Sequence, residues 1–197
     1  MASNANSVNI ENAKASYHHG DLRAALIGEG LRLLETDTAD ALSLREVARN
    51  VGVSAPAVYR HFPDKAAFLQ ALALEGLKRL AREQKAASAK GGAQAFAASG
   101  RAYVRFALAN PGLFRLIFTS GQGHTELAHD PEGSAGWLLS QHVAAQIGAN
   151  APEEHHKIKA YRAWALVHGL ALLILDRQID REEGLRLIDP IVSADSI

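Results

Sequence analysis

The stretch from Leu42 to Lys65, LSLREVARNVGVSAPAVYRHFPDK, holds two short helical signals and the start of a third. Ser43-Leu44-Arg45-Glu46 has the form of a capping box, with the serine oxygen accepting from a first-turn N–H and the Glu46 carboxylate accepting from the Ser43 N–H. Leu44, Val47, Ala48 and Val51 recur at helical spacing, and Gly52 follows, where a left-handed residue ends a helix at little cost. Ser54 marks the next start, and Pro56 is tolerated there because first-turn amides have no intrahelical partner. Val58 and Phe62 share an inner face. Pro63 stops this second helix and Asp64 caps a longer amphipathic run carrying Phe68, Leu69, Leu72, Leu77 and Leu80, which fades near Gln84.

Working outward, Asp21 to Glu35 places Leu22, Leu26 and Leu33 on one side with Ile27, Leu31 and Leu34 beside them, a broad core-facing stripe. Gly28 and Gly30 sit inside this helix, where they mark close packing. Ser88-Ala89-Lys90-Gly91-Gly92 reads as a turn. Beyond it helices are expected over 93–109, in a short piece after Pro111, over 132–147, over 153–177 and over 181–192, with a loop from Thr119 to Pro131. Strand signals are almost absent. The chain therefore reads as all-α with about nine helices: a flexible arm (1–16), a three-helix head (17–80) and a helical-bundle body (81–197).

Composition bounds the function. The 197 residues carry 21 basic and 21 acidic side chains, so no net field draws the molecule to a polyanion, and any contact with nucleic acid needs a local basic face. There are no cysteines, which excludes disulfides, thiolate metal sites and thiol catalysis and suits a reducing cytoplasm. The polar N-terminal segment is neither signal peptide nor anchor, and the apolar run Leu170 to Leu175 is too short to cross a bilayer. Nine histidines, among them the pairs His18-His19 and His155-His156 with His124 and His129, raise the possibility of a metal-dependent enzyme. Neighbouring helical residues point about 100° apart, and no His-Glu-x-x-His spacing, nucleophile–base pair or phosphate loop occurs. No catalytic residue, metal site or cofactor is expected.

Two short helices joined by Gly52-Val53 after a longer one form a helix-turn-helix, whose second helix can enter a major groove. The run from Leu42 to Lys65, preceded by Tyr17-His18-His19-Gly20-Asp21-Leu22-Arg23, resembles the tetracycline-repressor family over residues 17 to 80. The resemblance implies that Ser43, Arg45, Tyr59, His61 and Lys65 touch phosphates, and that Ser54, Ala55, Pro56, Ala57 and Arg60 lie at or near base edges. That division suits the chemistry, because hydroxyls and cations set register while groove contacts read sequence. From Ser43 to Lys65 four bases face two acids, Glu46 and Asp64, both expected in capping roles. Pro56 departs from the glycine common at its position in the family.

In the body, Trp164, His168 and Gly169, together with the run Asn110 to Phe118, resemble the Trp-His-Gly class of regulatory domain in the same family. That class pairs its last two helices with those of a second subunit. Ala163, Val167, Leu170 and Ile174 make one apolar line on the long helix, and Leu185, Ile188 and Val192 another on the last; both are expected to pair the subunits. Tyr161, Trp164, Ala165, His168 and Leu172 form the opposite face, assigned to the interior. Phe96, Tyr103, Phe106, Phe114, Phe118, Trp137, Trp164 and His168 are candidate walls of a ligand pocket. The expected function is that of a homodimeric repressor that binds a palindromic DNA operator and is released by a small-molecule effector; an activator with the same head is the alternative.

Overall fold

The computed structural model describes residues 19–91, 94–120 and 132–193. Tyr17, His18, His124 and His129, the N-terminal arm and most of the expected 119–131 loop lie outside them. Nine helices and no strand occur among the described residues: α1 (His19–Leu33), α2 (Leu44–Val51), α3 (Ala55–Tyr59), α4 (Lys65–Ser88), α5 (Ala95–Ala109), α6 (Pro111–Thr119), α7 (Ala135–Ile147), α8 (Glu153–Leu175) and α9 (Arg181–Ser193).

Local chemistry explains most of the boundaries. Gly52 adopts φ 80° and closes α2: its N–H donates to the Arg49 carbonyl while the Val53 N–H reaches back to Ala48. These two bonds satisfy carbonyls that would otherwise have no helical partner. Asp64 caps α4 by accepting from the Ala67 N–H at 2.7 Å. The capping box at Ser43 does not form. Ser43 is extended (φ −119°, ψ 126°) and makes no cap bond, and Glu46 pairs instead with Arg49, one turn along, at 3.4 Å. Ser54 likewise leaves its hydroxyl unused as a cap. Regular helix in α3 stops at Tyr59, three residues before Phe62, because Phe62 must turn back onto α4, where its ring meets Phe68 edge-on at 4.9 Å.

One hydrophobic cluster runs from Leu26, Val47, Val58 and Phe62 in the head through Phe68 and Leu72 to Phe114, Val167 and Ile188 in the body. Helix α4 is the shared member. It packs on α1 at its start and on α5, α6 and α7 further along, unbroken for 24 residues. Glu29 ties α1 to α2 by accepting from Arg32, at 2.8 and 2.7 Å, and from Asn50 of α2, at 2.7 Å. The Arg32 contact is the main reason its carboxyl titrates below the usual range.

The two glycines of α1 differ. A Cβ on Gly30 would lie 2.6 Å from the Phe68 ring and 3.0 Å from Leu72, so this glycine permits the α1–α4 approach; Gly28 has open space around it. Gly28→Ala is expected to stabilise the protein by roughly 0.5–1 kcal/mol through helix propensity. Gly30→Ala should destabilise it by about 1–3 kcal/mol through overpacking. Thermal or urea unfolding of both variants checks the opposite signs.

The assignment of faces on α8 and α9 needs correction. Ala163, Val167, Leu170 and Ile174 are buried within the protomer, as are Ile188 and Val192. A Cβ on Gly100 of α5 would strike both Val192 and Val167, and one on Gly184 of α9 would strike Ile174, so these residues pack inward among α5, α8 and α9. The apolar side left open carries Ile158, Tyr161 and Leu173, each 45–49% exposed, with Ala165 and Gly169 between them. By length and composition one stretch of α8 is apolar enough to cross a membrane, a property that core helices of soluble proteins share. Its inward face here is filled by protein.

Candidate functional site

The outer surface of the helix-turn-helix follows from what its inner surface must bury. Val47, Ala48, Val58 and Phe62 form the head core with Leu26 and Phe68, and the residues between them point away. Arg45, Ser54, Pro56, Tyr59 and Arg60 are exposed, and Ser43, Ala55 and His61 are half-buried. Ala57 goes the other way: it is only 6% exposed, next to Val58, and presents no side chain to a groove. Of the candidate contact residues it alone faces inward.

The polar groups of this surface are largely uncommitted. Neither serine hydroxyl caps its helix. Arg45 and Arg60 form no ion pair among the described residues, whereas Arg49 is held by Glu46. Lys65 is partly engaged: its ammonium donates to the Asp40 carbonyl at 2.6 Å, tying the α1–α2 loop to the first turn of α4, with two N–H groups remaining. Arg23, itself exposed, lies over the Phe62 ring at 5.2 Å, a cation–π contact that covers the turn after α3.

The body contains a cavity of about 60 Å³ between α4, α5, α7 and α8, with Phe118 and Val192 at its edge. Phe118 and Trp164 line it as expected, and so do Phe96 and Tyr103. Phe106 and Phe114 do not; they are wholly buried core, with Phe114 wedged between Tyr103 and Phe118. Trp137 and His168 also lie off the wall. Aromatic residues at helical spacing fill a core as readily as they line a space, which is why spacing alone did not separate the two groups.

His168 is occupied with holding the wall. The Trp164 Nε1–H donates to the Tyr103 hydroxyl at 3.2 Å, and that hydroxyl pairs with His168 Nδ1 at 2.8 Å. Burial pushes the Tyr103 phenol above its usual range and the imidazole below its own. With a neutral phenol as donor, Nδ1 is the acceptor and the proton sits on Nε2. Because the folded form disfavours imidazolium, its contribution to stability is complete above the ordinary histidine pKa and is lost as pH falls below it, where the unfolded chain binds the proton more readily. The melting temperature should fall between pH 7 and pH 5, and His168→Gln should flatten that fall. An equally steep slope in the variant would place the titration elsewhere.

Sequence reasoning missed the α4 wall, Leu77, Leu80 and Gln84, together with Ser99, Gly100 and Leu139. A signal was present: Leu77, Leu80 and Gln84 follow one helical face, so a glutamine stands where the stripe calls for an apolar side chain.

Comparison with known proteins places these features in a family. The family of bacterial regulatory proteins named for the tetracycline repressor matches residues 26–72, and the tetracycline repressor-like C-terminal domain matches residues 96–189. Among solved structures, a protein of unknown function from Rhodococcus sp. RHA1 is 34% identical, with 93% of this chain and 95% of that chain aligned at a TM-score of 0.68. A tetR-family transcriptional regulator from Streptomyces coelicolor is 21% identical over 89% of this chain and 79% of its own, with a TM-score of 0.59. A TetR transcriptional regulator from Rhodococcus sp. RHA1 is 16% identical over 86% and 91%, at 0.51. No curated protein sequence matches the chain. With a helix-turn-helix head and a helical body that each fit the same family, the chain belongs to the tetracycline-repressor (TetR) family of DNA-binding transcriptional regulators.

Proposed function

We propose that the chain is a cytoplasmic, homodimeric repressor that grips a palindromic operator with two heads and lets go when a small molecule enters the body cavity. The observation that carries the DNA-binding part is the row of uncommitted groups on one side of α2 and α3: Ser43, Arg45, Ser54, Tyr59 and Arg60 are turned outward by the burial of Val47, Val58 and Phe62. Arg45, the Ser43 hydroxyl and the spare N–H groups of Lys65 take phosphates, with Tyr59 and His61 beside them. Pro56, Ala55 and Arg60 reach the groove floor, where Arg60 is suited to bidentate contact with guanine. The division into a head to residue 80 and a body from 81 is functional, since α4 belongs to both.

Pairing of two chains uses the open side of α8 and α9. Ile158, Tyr161, Ala165, Gly169 and Leu173 recur at helical spacing down α8, with Leu185 on α9. A two-fold axis through this face brings each residue against its own copy or a near neighbour, as an isologous interface requires. To grip a palindrome, such a pair has to set the two heads near the ~34 Å spacing of successive major grooves on one side of B-DNA.

The cavity supports release by its size. At about 60 Å³ it is well below the ~150 Å³ apolar cavity that admits benzene, so a ligand must push the walls apart. One wall is α4, whose other end carries Lys65 and the head. A ligand that binds the expanded form more tightly shifts the population toward it, and the head moves with α4.

Footprinting on the chain's own promoter region tests the reading: protection of an inverted repeat is expected. Arg45→Ala should weaken binding to all sequences alike and lower the magnitude of the log Kd against log salt slope by about 1. Arg60→Ala should relax base preference within each half-site. Unchanged affinity and slope in both variants would remove this surface from the interface.

A further inference from the structure

The cavity wall carries one polar group without a partner. Gln84 is 7% exposed and lines the cavity from α4. Its Nε2 donates to Ser99 Oγ at 3.2 Å and approaches the Ser99 main-chain oxygen at 3.5 Å. A carbonyl can only accept, so this neighbour sets the amide with its NH2 toward α5. The other end, Oε1, is buried and accepts nothing among the described residues. An orphaned buried acceptor is uncommon, because the group has given up water without replacing it.

The rest of the lining states what else a ligand meets. Leucine, valine, alanine, glycine and aromatic side chains dominate, and among the described residues no acid, lysine, arginine or histidine joins them. Tyr103 is the only ionisable residue of the wall among the described residues; its hydroxyl is taken by Trp164 and His168, and its burial holds it neutral. A charged ligand would lose its hydration with no counter-charge to replace it. An apolar ring bearing a single hydroxyl or N–H loses little, and its donor meets the vacant oxygen.

We propose that the effector is an uncharged, largely apolar ring compound with one hydrogen-bond donor, that Gln84 Oε1 accepts from that donor, and that this bond is the specificity element of the site. The proposal rests on the effector reading above and adds the ligand class. It also places the polar contact on α4, so the group that recognises the ligand stands on the helix that carries the head. Apolar contact gives affinity, whereas rejection of analogues lacking the donor comes from leaving Oε1 unpaired, and sites built this way discriminate strongly.

The test uses the full-length protein with 2-naphthol, naphthalene, 2-methoxynaphthalene and 2-naphthoate as probes, read by thermal shift and by quenching of Trp164 fluorescence in a Trp137→Phe background. In the unaltered Gln84 protein 2-naphthol should bind about tenfold more tightly than naphthalene or its methyl ether, and naphthoate should not bind measurably. Gln84→Met, close in shape and without the amide, should bring the naphthol-to-naphthalene ratio near one while naphthalene binding persists. Gln84→Asn offers a second variant if the methionine form is unstable. A ratio that survives both substitutions, binding of naphthoate as tight as that of naphthol, or no binding of any probe by a folded protein overturns the assignment. Operator release is read separately by fluorescence anisotropy. Gln84-dependent naphthol binding with unchanged operator affinity would keep the site and sink the effector reading.

Discussion

Gly169→Leu is expected to give a folded monomer whose operator affinity is at least about a hundredfold weaker. A Cβ on Gly169 meets no atom within 4 Å in the protomer, so the added side chain projects into open space beside Ala165 and Leu173. Within one chain the change is favourable, since leucine exceeds glycine in helix propensity by nearly 1 kcal/mol. Against a second α8 packed across the same face, as proposed, it is prohibitive, because two leucines would have to enter where two glycines would allow close approach. Losing the pair replaces a two-point grip by a single half-site contact, and linked sites gain about 10² to 10⁴ in affinity over single ones. Sedimentation at micromolar concentration reports the assembly, and anisotropy on a full palindrome against one half-site reports the grip. A variant that remains dimeric with full operator affinity would move the interface off this side of α8. A melting temperature equal to or above that of the starting protein separates loss of pairing from misfolding.

The sequence made the head legible because its signals are local and chemically distinct. Gly52 could end α2 only by its left-handed backbone, Asp64 could cap α4, and Pro63 could not continue a helix; each acts within a few residues of itself. The Ser43–Glu46 box failed on equally local grounds, since Arg49 lies one turn from Glu46 and competes for its carboxylate. Gly30 was read as a packing site and is one, whereas Gly28, two residues away, is not: the helix turns about 200° between them and only one faces α4.

The body was less legible because α8 is apolar on most of its circumference. A helix with little contrast between faces tells how many partners it has but not which face each partner takes. Val167 and Ile174 went inward because α9, with a glycine at 184, sits directly against Ile174, a tertiary fact no periodicity contains. The cavity posed the same difficulty. Phe114 and Phe118 are four residues apart on α6 with rings 4.9 Å apart, yet only Phe118 borders the space. Gln84 was the visible exception to an apolar stripe, and an exception of that kind is the better pointer to a site than the aromatic residues around it.

Gly112→Val should lower operator affinity by at least about tenfold while leaving the dimer intact. Gly112 stands at the start of α6, and a Cβ there would lie 2.5 Å from the Leu34 carbonyl oxygen and 3.0 Å from that of Asp37, just beyond the end of α1. Backbone atoms cannot swing aside as side chains do, so the whole of α6 must retreat from the head. The opposite end of this nine-residue helix carries Phe118 on the cavity wall. Helix α6 also locks onto α4, where Gly76 is pressed by Leu113 and Ile117. The cavity therefore reaches the head through two helices, α4, which starts at Lys65, and α6, whose first turn holds Gly112. On the proposed reading, a ligand that pushes on Gln84 and Phe118 together would displace both, and a bulky residue at 112 would displace one of them without any ligand. Overpacking should cost about 1–3 kcal/mol of stability. The telling measurement is the ligand response: if valine at 112 stands in for part of the ligand's push, a probe that releases the starting protein should produce a smaller further drop in operator affinity in the variant. A lower melting temperature with operator affinity and ligand response both unchanged would make the α1–α6 contact packing alone.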